Sequence, residues 1–352
     1  MVSKVVVGAI VLVVALAIGG YILLASQPQQ PVQVTAGGAS FPQPVITKWT
    51  SEYNKLYPHI QISYQPIGSG GGQNNLFAKT FDFAGSDAPL TDAQLANYTV
   101  LHVPETIGGV VVSYNIPNLN VTIRLTADVI AQIFQGNITK WDDAAIASLN
   151  PSLNMPDADI VVVRRSDSSG TTFVFTSYLS NASSLWQLGS GQTVNWPVGL
   201  GGSGNSGVAS LIQQTPYSVG YVEYFYAKNN NLPTAAIRNQ NGEFIEPSLA
   251  SVGEAARQGK GLLSSDVRSA IVNMPGSGAY PISSFTYLLV FKDLSYMTQA
   301  KATAIVNFIW WAIHDGQNYT EALYYPKLPS DIVTLGEGIL RQITYNGVPI
   351  LT

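Results

Sequence analysis

From residue 32 to the C-terminal region, short β-branched or aromatic runs alternate with longer stretches of helical periodicity. This alternation constrains the fold more than any other feature, because such repeats pack as an α/β architecture with helices covering a largely parallel sheet. Residues 42–57 predict an amphipathic helix. Val45, Ile46, Trp49, Tyr53 and Leu56 follow the three-to-four spacing, and prolines fall in the first turn, where a missing N–H costs least. Residues 60–67 predict a strand, 68–72 a glycine turn, 73–79 a short helix and 81–85 another strand. Thr91 and Gln94 predict a capping box that opens a further helix. The runs 110–114 and 160–164 are β-branched in the manner of buried strands. Helices are expected at 171–179, 208–214 and 298–314, and strands at 220–226 and 287–291. The region 232–278 gives no clear pattern.

Composition excludes several functions. Only 11% of the 352 residues are charged, against about 25% in an ordinary soluble domain. Their places are taken by Ser, Thr, Asn, Gln, Gly and Tyr, while the 46% hydrophobic share excludes a disordered chain. The net charge is -4 and no Lys/Arg run occurs, so no nucleic-acid partner is expected. There is no cysteine, and the three histidines (His59, His102, His314) are scattered, so no metal centre, thiol chemistry or other cofactor is expected. Residues 5–25 form an uncharged apolar run after Lys4, followed by the linker SQPQQP at 26–31. At 1.5 Å per residue this run just crosses a bilayer core of about 30 Å. It is read as a retained membrane anchor, with cleavage at Ala25–Ser26 as the alternative. Either places the rest of the chain outside the cytoplasm. Five sequons (Asn97, Asn120, Asn137, Asn181, Asn318) fit that location weakly.

Three segments repeat one physical design: GGASFP (37–42), GSGGG (68–72) and SSGTT (168–172). Each follows a strand and opens a helix, and a helix start offers unpaired N–H groups and partial positive charge to an anion. Any one of them alone reads as an ordinary N-cap or tight turn; it is the three together that point to an anion site. The third follows VVVRRSD (161–167), and alternation along a strand puts Arg165 and Asp167 on one side. Arg165 can then grip an oxyanion while Asp167 braces its guanidinium; a surface ion pair is the plain alternative. Asp87, at a strand end, suits an anion site only if the anion carries a proton to donate, as phosphate does and sulfate does not. Taken alone it reads as a turn or N-cap residue. No histidine lies near Ser169 to act as a base, and no nucleophile elbow is present, so the parts are those of recognition and not of catalysis.

At these residues the chain resembles the extracytoplasmic phosphate-binding proteins of ABC-type phosphate importers. The resemblance is carried by AGGASFPQP (36–44), IGSGG (67–71), DFAGSDAPL (82–90), IGGVVV (107–112), ITKWD (138–142), VVRRSDSSGTTFVFT (162–176), WPVGLGG (196–202) and GYVEY (220–224). It implies a two-lobed, Venus-flytrap fold of the type II periplasmic-binding kind, with two hinge-strand crossovers and one hydrophobic helix ahead of it. The expected boundaries are 1–31 for the anchor or signal and linker, 32–112 with 284–352 for the first lobe, and 113–283 for the second. Phosphate would be bound by Ser40, Phe41, Ser69, Asp87, Arg165, Ser169, Gly170 and Thr171, with Asp167 behind Arg165. Ser40 stands where threonine is usual and Ser168 where glycine is common. The implied protein is a monomeric, non-enzymatic carrier that delivers phosphate to the membrane permease subunits of an ABC transporter. The rival expectations are a binder of sulfate, molybdate or tungstate, a phosphate sensor or scaffold, and a phosphate-ester hydrolase.

Overall fold

The computed structural model describes residues 30–119 and 121–351; the apolar run at 5–25 and the sequon at Asn120 lie outside them. Among the described residues no helix is long and apolar enough to cross a membrane. The first four strands are β1 (Val32–Gly38), β2 (Ile60–Pro66), β3 (Phe83–Ser86) and the 16-residue β4 (Val100–Asn115). Then come β5 (Arg124–Leu125), β6 (Val161–Arg165), β7 (Leu200–Gly202) and β8 (Ser218–Glu223). After β9 (Ala236–Arg238) and β10 (Phe244–Ile245), the chain returns along β11 (Ser283–Phe291). Eight of these form one curled mixed sheet in the order β2-β1-β3-β11-β4-β8-β6-β7.

Strand β4 is the backbone of the molecule. Its first part, Val100 to Gly109, pairs antiparallel with β11; from Val110 to Asn115 it pairs antiparallel with β8. One strand therefore runs through two α/β lobes. The first holds β1, β2, β3 and β11, and the second holds β6, β7 and β8. Near the changeover the returning chain is tied in as well: Val110 N–H donates to Ile282 O (2.8 Å) and Tyr280 O–H to Val110 O (3.1 Å). A bulge interrupts the β4–β11 register, with Thr286 opposite Thr106 but Tyr287 opposite Pro104, leaving Glu105 as the extra residue. Proline lacks the N–H a ladder needs, so a strand accepts it most readily at such an irregularity.

Each lobe buries its own aromatic cluster. In the first, the helix Gln43–Leu56 buries Val45, Ile46, Trp49 and Tyr53, and Tyr53 packs on the apolar helix Gln299–Ile313. Tyr53 meets Phe308 edge-on at 5.2 Å, and Trp49 Nε1–H donates to Gly316 O at 2.7 Å. In the second, Phe175 stacks on Tyr221 at 4.3 Å and meets Phe134 edge-on at 4.9 Å. Aromatic pairs in these geometries add to the stabilisation from area burial alone.

Two sequence expectations are corrected. GSGGG is not a turn ahead of a helix; Gly68 is the N-cap, and the other four residues are the first part of the helix Ser69–Phe77. Glycine is needed there for close approach, since a Cβ on Gly72 would lie 2.5 Å from Gly38 Cα of β1. Residues 224–226 are helical and not extended, because Glu223 at the end of β8 accepts from Phe225 N–H (3.0 Å) and caps the helix Tyr224–Asn229. The Thr91–Gln94 capping box forms with both of its bonds, and the unpatterned region 232–278 contains the helix Leu249–Ser265. Trp49 is fully buried and hydrogen-bonded across 267 positions of sequence. Trp49→Ala is therefore expected to cost about 3–5 kcal/mol, read as a fall in the urea midpoint with little change in slope.

Candidate functional site

The strand–turn–helix segments converge where the two lobes meet. Ser40 and Phe41 come from the turn after β1, Ser69 from the start of its helix, and Asp87 from just beyond β3. Across the seam stand Arg165 at the end of β6, Ser169 as N-cap of the helix Gly170–Ala182, and Gly170 and Thr171 in its first turn. All eight are buried, none more than 3% exposed among those with a polar side chain. The lobes touch: a Cβ on Gly170 would lie 2.3 Å from Ser69 Oγ and 2.5 Å from Asp87 Oδ2, so only glycine fits. Gly70 N–H also donates across the seam to Ser168 O at 3.1 Å.

The second lobe supplies charge and donors. Arg165 Nε–H donates to Asp167 Oδ1 (2.8 Å), its Nη2 pairs with Asp167 Oδ2, and its Nη1–H donates to Thr171 Oγ1 at 3.1 Å. A guanidinium has five N–H groups, so two stay available once the fork is fixed. Burial works against ionisation of Asp167, but the hydrogen bond and charge of Arg165 outweigh it and hold the carboxyl below the usual range. Ser169 Oγ accepts from Thr172 N–H (3.1 Å), leaving the N–H groups of Gly170 and Thr171 without intrahelical acceptors.

The first lobe supplies an acid. Asp87 N–H donates to Ser69 Oγ at 3.2 Å, while Asp87 Oδ1 is buried with no hydrogen-bond partner. Burial is the largest influence and pushes the Asp87 carboxyl up to about 8; the Arg165 charge only partly offsets it. Two further buried acids flank the region. Burial raises Glu105 to about 8 despite its bond from Thr286 O–H (2.8 Å), and raises Glu223 well above the carboxylate range.

Several residues at the seam were missed by sequence reasoning. Asn205, fully buried in the helix Gly204–Gln214, donates from Nδ2 to Ser40 Oγ and to Thr171 Oγ1, both at 3.0 Å. Tyr226 O–H reaches Ser40 O (2.7 Å) and Gln43 Oε1 (2.9 Å), and Tyr325 O–H reaches Phe41 O (2.7 Å) and Glu223 Oε2 (3.0 Å). For Asn205 a signal existed: GGSGN at 201–205 is a fourth glycine/serine turn between a strand and a helix start. Among the described residues no group of three or more His, Asp or Glu is placed to hold a metal ion.

Two α/β lobes on a shared long strand, closed on a buried seam of donors, define a bilobal solute-binding protein. A model of the PBP superfamily domain matches residues 25–315. A phosphate-binding protein PstS of Xylella fastidiosa is 41% identical over 311 residues, covering 88% of this chain and 85% of its own. One of Methanocaldococcus jannaschii is 36% identical over 359 residues, covering 95% and 92%. The solved phosphate-binding protein from Stenotrophomonas maltophilia superposes with a TM-score of 0.69 at 18% identity, over 87% of this chain and 93% of that one. The chain belongs to the PBP superfamily and, within it, to the phosphate-binding protein PstS family.

The acid pair at the seam sets a direction for stability. Asp87 and Glu105 have folded-state values near 8, above those of an unfolded chain, so their contribution is full below about pH 4 and is lost as pH rises through about 8. Thermal unfolding of the anion-free protein at pH 5 and pH 8 is therefore expected to show a smaller fall in Tm for Asp87→Asn than for the parent. An equal fall in both would remove the assignment.

Proposed function

We propose that this protein captures inorganic phosphate outside the cytoplasm, closes its two lobes on it, and delivers it to the membrane subunits of an ABC-type phosphate importer. Membership of the PstS family supports the ligand class and the carrier role, since those relatives carry the name phosphate-binding protein. For the same reason it is a receptor and not an enzyme. The single observation that carries the site is the buried Asp87 carboxyl, with an unpartnered oxygen, facing a helix start and Arg165. Ser40, Phe41, Ser69, Arg165, Ser169, Gly170 and Thr171 donate to the anion in this reading, and Asp87 handles its proton.

The chemistry rests on one shared proton. Hydrogen phosphate keeps a proton through the neutral and mildly alkaline range, whereas sulfate carries none there. With phosphate, the Asp87–anion pair holds a proton whichever partner brings it. With sulfate or molybdate, Asp87 itself must be protonated, because an ionised carboxylate against a bare dianion is an unpaired acceptor in a dry site.

The lobe boundaries at 112/113 and 283/284 belong to the same proposal. They are supported by the handover of β4 from β11 to β8 at Gly109 and Val110, and by the pairing of Ser283 with Gly109. Hinge closure about these strands would bury the anion. Residues 5–25 would hold the protein at the membrane, with cleavage after Ala25 the other outcome, and the carrier would act as a monomer; mass spectrometry of the mature N-terminus and sedimentation test these points.

Calorimetric titration of phosphate and sulfate from pH 6 to pH 10 tests the site. Above about pH 8 phosphate affinity is expected to stay level, while sulfate affinity falls about tenfold per pH unit, because sulfate binding must take up the missing proton. Arg165→Ala should weaken phosphate binding by at least about tenfold through loss of a charged hydrogen bond. Unchanged phosphate affinity in that variant would refute the site.

A further inference from the structure

Ser40 and Thr171 stand on opposite sides of the seam, and a hydroxyl can serve a bound anion only if its hydrogen is free to point there. Both oxygens are supplied with donors from elsewhere. Ser40 Oγ accepts from Asn205 N–H (3.0 Å) and from Asn205 Nδ2–H (3.0 Å). Thr171 Oγ1 accepts from Arg165 Nη1–H (3.1 Å) and from the other hydrogen of Asn205 Nδ2 (3.0 Å). Each hydroxyl thus has both lone pairs occupied, and its only remaining capacity is to donate. The amide cannot turn over, because Asn205 Oδ1 accepts from Glu223 N–H at 3.0 Å. Were it reversed, its oxygen would draw both hydroxyl hydrogens away from the seam.

Resting on the phosphate reading above, we infer that Asn205 is a positioning residue of this site: its amide group aims the Ser40 and Thr171 hydroxyl hydrogens at the anion. The Thr171 hydroxyl is aimed within the second lobe, where Arg165, Asn205 and Thr171 all lie, whereas the Ser40 hydroxyl is aimed only when the lobes are together, since Ser40 follows β1 of the first lobe. Asn205 is fully buried and makes these contacts without any solvent-facing atom to share them. For Ser40, closure and donor alignment are then one event: an open protein leaves its hydroxyl free to rotate, and a closed one fixes it as a donor beside the already aligned Thr171.

The test uses the near-isosteric Asn205→Asp, which keeps the acceptor for Glu223 N–H but replaces two donors by an acceptor. If Asn205 acts by aiming hydroxyls, the carboxylate recruits both hydrogens, and phosphate affinity at pH 8 falls about 100-fold, two hydrogen bonds to a charged group being lost. Thr171→Val should cost about tenfold in the parent but less than about twofold in the Asn205→Asp background, because there its hydroxyl no longer serves the anion. A role through packing or charge alone would leave the Thr171→Val cost the same in both. Asn205→Ala, which removes the donors without adding an acceptor, provides the same cycle in a second background if the carboxylate variant does not fold.

Asn205→Asp within about threefold of the parent, or additive cycles in the folded variants, would overturn the inference. Arg165→Ala separates this from failure of the phosphate reading. If the parent does not bind phosphate, or Arg165→Ala binds it like the parent, the site itself falls and the inference with it. If the parent binds, Arg165→Ala weakens and the cycles are additive, only the role of Asn205 falls.

Discussion

Burial of the Asp87 carboxyl is the constraint on which the rest of this site depends. An aspartate with 1% exposure and an oxygen without a partner is costly as an anion, and burial accordingly favours its protonated form. The cost is partly offset by the Arg165 charge, and the Gly170 helix start packs directly against the carboxyl. Asp167 must then take up the inner edge of the Arg165 fork, which it does with both carboxylate oxygens while Oδ1 also accepts from Gly204 N–H at 3.2 Å. Each group is placed by the needs of its neighbour, so the protein's own contacts define the geometry of the closed site.

That arrangement straddles two lobes, which explains the dense polar traffic between them. Asn205 and Tyr226 of the second lobe hold the Ser40 turn, and Tyr325 spans from Phe41 O to the Glu223 carboxyl. The hydrogen of Tyr325 can serve only one of its two acceptors at a time, and the other must be satisfied by the proton of a neutral Glu223 or go without. The strong upward push on Glu223 favours the neutral form. The seam is therefore held by neutral hydrogen bonds and close glycine contacts more than by ion pairs. Such contacts cost little to break and remake, as a hinge requires.

What the sequence made legible follows one rule. Features whose parts lie within a few residues of each other could be read: the helix starts at 42 and 91, the Arg165–Asp167 brace and the strand–turn–helix design itself. The roles of Tyr325 and Tyr226 could not, because their partners lie 284 and 186 positions away and nothing local marks them; the GGSGN turn marks Asn205 as a helix start, but not its partner Ser40, 165 positions away. The errors were also local-context errors. Residues 68–72 look like a turn by glycine content, but tertiary packing against β1 outweighs the weak helix propensity of glycine. The aromatic run at 224–226 looks like a strand, but the Glu223 cap redirects it.

The sparse charge of the chain acquires a physical sense from this. With 11% charged residues and a net charge of -4, the whole-protein field repels an anion, so attraction must act at contact distance. Helix-start N–H groups, hydroxyls and one arginine do this inside a dry seam, where the low dielectric strengthens them and salt screens them little. A surface rich in lysine would have drawn in every oxyanion alike. A weakly charged surface leaves selection to the interior, where the number of donors and the single proton of Asp87 decide which anion fits.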